Sequence, residues 1–165
     1  MIHRAALITA CLLVLAAAPA SAFDLNLAVG ADFNGDFDIG NISLSSDTGF
    51  LLGLEIAFKI PVVELGAGVE YGFPRDAKAV DVEAKYLNFY GIGRMFFGPA
   101  YIAARLGYSD YSVNRTDGGG FGGGASWGLG GGVELFGKLK FELLFNNLGG
   151  DLSYQSWTIR ALYTF

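Results

Sequence analysis

The feature that most restricts what this chain can fold into is a period of two in its hydrophobicity, kept up over most of the length after residue 22. Phe23, Leu25, Leu27, Val29, Ala31 and Phe33 alternate with Asp24, Asn26, Ala28, Gly30 and Asp32. Phe50, Leu52, Leu54, Ile56, Phe58 and Ile60 alternate in the same way with Leu51, Gly53, Glu55, Ala57 and Lys59. Successive side chains of a strand point to opposite faces, so this spacing describes strands with one apolar face. The pattern recurs at 62–73, 86–97, 100–110, 126–136, 139–147 and 155–165, which predicts eight strands of 9 to 12 residues. No stretch after Phe23 reaches the roughly 18 consecutive apolar residues of a transmembrane helix, and none keeps helical spacing for long.

The connections between these strands alternate in length. They are long at 34–49, 74–85 and 111–125, moderately long at 148–154, and tight at Pro61, Gly98-Pro99 and Gly137-Lys138. Strands joined in this way form an antiparallel up-and-down meander with all its long loops at one end, which eight strands can close into a barrel.

The first 22 residues stand apart. His3 and Arg4 precede an apolar run from Ala5 to Ala18, and Ala20-Ser21-Ala22 has the small residues of a cleavage site, so 1–22 reads as a secretory signal peptide and 23–165 as the single mature domain. A competing lipobox reading of Ile8-Thr9-Ala10-Cys11 is disfavoured, because the apolar run continues through Leu12, Leu13, Val14 and Leu15. Cleavage removes Cys11 and His3, each the only residue of its kind. The mature chain then lacks a disulfide, a thiolate, a histidine base and a Cys/His metal site, so no cofactor and no catalysis are expected. The whole chain has 11 Lys and Arg against 16 Asp and Glu, and loss of Arg4 takes the net charge from −5 to −6. An acidic exported protein is a poor partner for nucleic acid.

Periodicity alone leaves open which way the apolar faces point. A soluble lipocalin-like carrier buries them, whereas a membrane barrel turns them to lipid. Two observations favour lipid. The charged faces are rich in glycine, as in Glu64, Gly66, Gly68, Glu70 and Gly72, and in Gly128, Gly130, Gly132 and Glu134. Inside a narrow barrel such glycines leave room for Arg and Glu side chains. Aromatic residues also gather near strand ends, including Phe23, Phe58, Tyr71, Phe73, Trp127, Phe145, Trp157 and Tyr163, as two membrane girdles require.

Parity then assigns Glu55, Lys59, Glu64, Glu70, Arg94, Arg105, Glu134, Lys140, Glu142 and Arg160 to the inner face, five acids and five bases. The opposite assignment would put Arg105 and Arg160 into lipid near mid-strand, at about 2 to 4 kcal/mol each. A turn at Pro61 would set Lys59 opposite Glu64, one at Gly137 would set Glu134 opposite Lys140, and one about Asp151 would set Glu142 opposite Arg160, each an opposite-charge pair.

The chain ends Trp157-x-Ile159-x-Ala161-x-Tyr163-x-Phe165. Together with the leader, the eight strands and the tight turns, this resembles the small OmpA/OmpX-like barrels of bacterial outer membranes. The resemblance implies an eight-stranded antiparallel transmembrane β-barrel in the outer membrane of a Gram-negative bacterium. It implies a monomer whose wall meets phospholipid and lipopolysaccharide, and an assembly signal at Ala161, Tyr163 and Phe165 read by the barrel assembly machinery. A structural or surface-interaction role is then expected, with a small channel as the alternative and a soluble carrier as a further one.

Two motifs look chemical. Asp32-Phe-Asn34-Gly-Asp36-Phe-Asp38 places oxygen at every second residue, yet a calcium loop needs Gly and Glu where Phe37 and Ser43 stand, so an acidic, solvated loop is expected. Gly118-x-Gly120-x-x-Gly123 matches a dinucleotide fingerprint in letters only, and a flexible loop tip is expected over 118–124. Some small outer-membrane barrels modify lipid A with the help of a histidine, which the mature chain does not have.

Overall fold

The computed structural model describes residues 23–39, 42–77, 80–114, 120–149 and 153–165, so the expected leader over 1–22 lies outside the described residues. Among the described residues nine strands follow one another, β1 (Phe23–Ile39), β2 (Ile42–Ser45), β3 (Gly49–Ile60), β4 (Val63–Ala77), β5 (Val80–Phe97), β6 (Ala100–Asn114), β7 (Gly120–Leu135), β8 (Leu139–Leu148) and β9 (Ser153–Thr164). The long strands pair antiparallel in chain order from β1 through β3 to β9, and β9 returns to β1 through Asn26↔Thr164 to Asp38↔Ser153. This closes an eight-stranded barrel, to which β2 adds a short return against β1.

The tight turns fall where the sequence places them. Ile60↔Val63 leaves Pro61 and Val62 between β3 and β4, and Phe97↔Ala100 leaves Gly98 and Pro99 between β5 and β6. Gly98 has φ of 71°, the backbone that a two-residue hairpin often demands at its first position and that glycine adopts freely.

The long connections differ from expectation. β1 runs on to Ile39, β4 to Ala77 and β6 to Asn114, so much of 34–49, 74–85 and 111–125 is hairpin rather than loop. Gly120 to Gly124, expected in a flexible tip, opens β7 and pairs with β6, while 118 and 119 lie outside the described residues. Beyond a bilayer neither strand face has to be apolar, so the alternation fades while the ladder of backbone hydrogen bonds continues.

Alternation is regular within the wall, as in β3, where every second residue from Gly49 to Ala57 is buried. Leu25, Val29, Leu54, Ile56, Leu65, Phe89, Ile102, Leu106, Leu129, Leu143 and Ile159 stand on the outside and are exposed. Among the described residues no helix is long and apolar enough to cross a membrane, but the strands of a barrel can cross one.

Candidate functional site: the charged interior

Three glycines on the inner faces of β4 and β7 make room for inward side chains. A Cβ on Gly68 would lie 2.8 Å from both the Tyr90 ring and Glu55 Cγ, one on Gly132 would lie 2.7 Å from Tyr101 Oη, and one on Gly72 would meet the Tyr86 ring. The space expected for Arg and Glu is therefore shared with tyrosine rings. Pressed between these walls, Glu55, Glu64, Glu70, Arg94, Arg105, Lys140, Glu142 and Arg160 are all buried.

Two guanidinium groups organise the centre. Arg94 on β5 donates from Nε to Glu142 at 2.6 Å, from Nη1 to Glu64 at 2.5 Å and from Nη2 to Glu55 at 2.7 Å. Arg160 on β9 donates to Glu55 at 2.8 Å, Glu70 at 3.0 Å, Tyr90 Oη at 3.0 Å and Glu142, reached from Nε at 3.1 Å and also from Nη2. Lys140 donates to Glu64 at 2.8 Å, Tyr90 to Glu55 at 2.9 Å and Tyr101 to Glu142 at 3.2 Å. Each of these glutamates thus has at least one cationic donor, and Arg94 and Arg160 brace strands on opposite sides of the barrel. Carboxylates held in this way are compensated for the loss of water and poorly placed to move protons for a substrate.

Arg105 sits at the margin of this network. It stacks on Tyr90 with its guanidinium carbon 3.5 Å from the ring centroid and donates one bond, from Nη2 to Glu70 at 3.1 Å. Among the described residues its buried Nε and Nη1 meet no acceptor.

Further layers close the interior on both sides. Toward the tight turns, Phe96, Tyr101, Ala103 and Leu144 form an apolar cluster, with the Phe96 and Tyr101 rings 4.9 Å apart. Past it, Lys59 donates to both oxygens of the half-buried Glu134, at 2.6 and 2.8 Å, and lies 4.3 Å from the Phe96 ring centroid. Toward the long hairpins, Ser109 and Ser126 both donate to Asn88 Oδ1, and above them Tyr86, Tyr111 and Tyr154 form a buried layer with centroids 6.3 and 6.5 Å apart. Tyr111 Oη is held by the Leu148 carbonyl at 3.0 Å.

The hairpin registers set Lys59 opposite Glu64, Glu134 opposite Lys140 and Glu142 opposite Arg160. Glu142–Arg160 keeps its register partner by hydrogen bonds and Glu134–Lys140 by a longer ion pair, while Lys59 takes a different partner. Glu142 and Arg160 are bonded, Lys140 stays 3.9 Å from Glu134 and turns to Glu64, and Lys59 reaches past Glu64 to Glu134 on β7. The reason is reach, because long side chains in so narrow a barrel meet partners from strands that are not their neighbours.

Asp32 departs from the acidic-loop expectation. It is buried and accepts from Tyr86 Oη at 2.9 Å and from Thr158, whose hydroxyl in turn accepts from Asn146 at 2.6 Å. Its parity with Asn26, Ala28 and Gly30 is the signal that places it inside. The inward tyrosines 86, 90, 101, 111 and 154 carry the same signal, since each shares a strand face with polar residues. Asp36 accepts from Ser45 at 3.1 Å, and among the described residues no group of three or more metal-ligating side chains gathers.

At the end of the chain Ala161 and Tyr163 lie on the outer face of β9, and Phe165 follows its last residue. Tyr163 and Phe165 are exposed with their rings 5.1 Å apart, and Phe165 N donates to the Leu25 carbonyl at 3.0 Å, across the seam that closes the barrel.

Solved structures with this arrangement exist. Ail, the attachment invasion locus protein of Yersinia pestis, superposes with a TM-score of 0.62 over 86% of this chain and 98% of its own, at 10% identity. These two proteins share a fold. Neisserial surface protein A matches with a TM-score of 0.60 over 90% of this chain and 100% of its own, at 16% identity. The N-terminal barrel domain of Pseudomonas aeruginosa OprF gives 0.54 over 87% and 98%, also at 16%. The architecture is therefore that of small eight-stranded outer-membrane barrels, in keeping with the OmpA/OmpX-like resemblance. No family model matches the sequence, and neither does any curated protein.

Proposed function

We propose that this chain is an exported, integral outer-membrane barrel with a structural or surface-interaction role, carrying no reaction and no steady current. The observation that carries the reading is the inverted distribution of side chains. Arginine, lysine and glutamate are buried at the centre, while leucine, isoleucine, valine and phenylalanine cover the outside. In water such a wall is an aggregation surface, whereas in a bilayer it is the required one. A soluble carrier would need the reverse arrangement and an empty apolar interior.

In this reading the tight turns and both ends of the barrel domain lie in the periplasm, and the long hairpins face outward. The wall meets phospholipid and lipopolysaccharide, and Ala161, Tyr163 and Phe165 are offered to the assembly machinery. The closed wall leaves no free strand edge there for pairing with another copy, which supports a monomer. Cell fractionation combined with gel mobility before and after boiling tests the proposal. The protein is expected in the outer-membrane fraction with heat-modifiable mobility, and recovery as a soluble, heat-insensitive species would refute it.

A further inference from the structure

The turn between β7 and β8 consists of Phe136, Gly137 and Lys138. Gly137 has φ of 66°, which costs glycine nothing, but Phe136 also has a positive φ, of 56°. A bulky L-residue is disfavoured in this backbone region, where glycine or asparagine would hold the same turn without strain. Packing within the molecule gives no compensation, because the Phe136 side chain is 96% exposed. A strained and bare aromatic residue is most simply understood by a contact outside the chain.

The surroundings identify that contact. Leu135 precedes Phe136 on the outer face and pairs through Leu139 with the exposed Tyr163, beside the exposed Phe165. Val133 and Phe141, paired and exposed, continue the same apolar surface up the wall. The outer wall thus runs without a polar break onto the turn. Lys138 Nζ lies 6.0 Å from the Tyr163 ring centroid, which puts a cation at the edge of this aromatic group. Aromatic rings favour the boundary between headgroups and acyl chains, and a lysine there keeps its stem in the apolar layer and its ammonium among phosphates.

We infer that the β7–β8 turn is a lipid anchor, with Phe136 seated at the headgroup–acyl boundary of the leaflet at the tight-turn end and Lys138 facing lipid phosphate. The inference rests on the membrane-spanning reading above. Its test uses the protein refolded into vesicles of phosphatidylethanolamine with a minority of phosphatidylglycerol. One variant carries F136W with Trp127 and Trp157 changed to Phe, and its companion is the wild-type protein, whose two tryptophans are Trp127 and Trp157. Nitroxide-labelled lipids report depth by quenching.

Blue-shifted F136W emission, quenched by shallow labels more than by deep ones, is expected. Quenching of the companion's wall tryptophans with water-like, unquenched emission from F136W would overturn the anchor and leave the barrel reading intact. If neither protein is quenched, the membrane-spanning reading fails and the anchor with it. A second measurement does not depend on the tryptophan background. In the same vesicles F136N is expected to have a lower urea midpoint than wild type, although asparagine suits the backbone better. A higher midpoint would overturn the anchor.

Discussion

Arg160 donates to side chains from β3, β4, β5 and β8, so its removal strips several buried groups of a donor at once. Truncating one member of a buried ion pair costs about 3 to 5 kcal/mol when water does not replace it. Arg160→Ala is therefore expected to destabilise the barrel by about that amount in urea unfolding, and addition of Glu142→Gln to recover part of the loss. Equal destabilisation of the single and double variants would mean that water already solvates the site. This pair was legible in the sequence, because hairpin register places Glu142 opposite Arg160. The partner of Lys59 was not, since Glu134 lies on β7 and only the closed barrel brings it within 2.6 Å. Asp32 lay between these cases. Its face was readable from its neighbours, but the acidic run from Asp32 to Asp38 suggested a solvated loop, which the burial of Asp32 contradicts.

Strands were legible where a membrane demands alternation and illegible where it does not. β3 shows the first case, with apolar residues at every second position from Phe50 to Ile60. The upper part of β1 shows the second, because Asp36 to Ile39 pair with β2 on one side, and Asp36 to Asp38 pair with β9 on the other, in a segment whose aspartates suggest a loop. Glycine positions separate packing from mere flexibility at this scale. A Cβ on Gly130 would fall against the Leu143 carbonyl oxygen and close to Leu144 Cα, whereas at Gly91 the nearest atom is 3.8 Å away. Gly130→Ala is expected to push β7 from β8 and cost about 1 to 3 kcal/mol, while Gly91→Ala stays within about 0.5 kcal/mol of wild type. The two are compared by urea unfolding in the same detergent. Deletion of Phe165 removes a backbone donor across the β9–β1 seam together with the last outward aromatic residue. It is expected to lower the heat-modifiable, folded fraction in the outer membrane, and an unchanged fraction would identify this end as an ordinary strand terminus.

For the whole molecule, orientation and permeability follow from the same asymmetry between its two ends. Epitope tags beside Gly120 and Gly137 test the first, with the tag at Gly120 expected to be accessible on intact cells and the tag at Gly137 hidden. The reverse result would invert the topology. Permeability depends on what fills the eight-stranded interior, whose width admits little beyond side chains. An ion crossing it would meet the Phe96–Tyr101–Leu144 cluster at one level, the Arg94 and Arg160 network at the next, and the Tyr86–Tyr111–Tyr154 layer beyond. Displacing the apolar cluster opens core packing, and passing the network requires buried ion pairs to exchange partners, each step costing several kcal/mol. The wild-type protein in planar bilayers is therefore expected to show no steady porin-like conductance. Arg94→Ala combined with Tyr101→Ala removes a brace and a ring from adjoining levels, and is expected to raise leak current above that of either single variant. A large steady current from the wild type would refute the closed-interior reading and favour a channel.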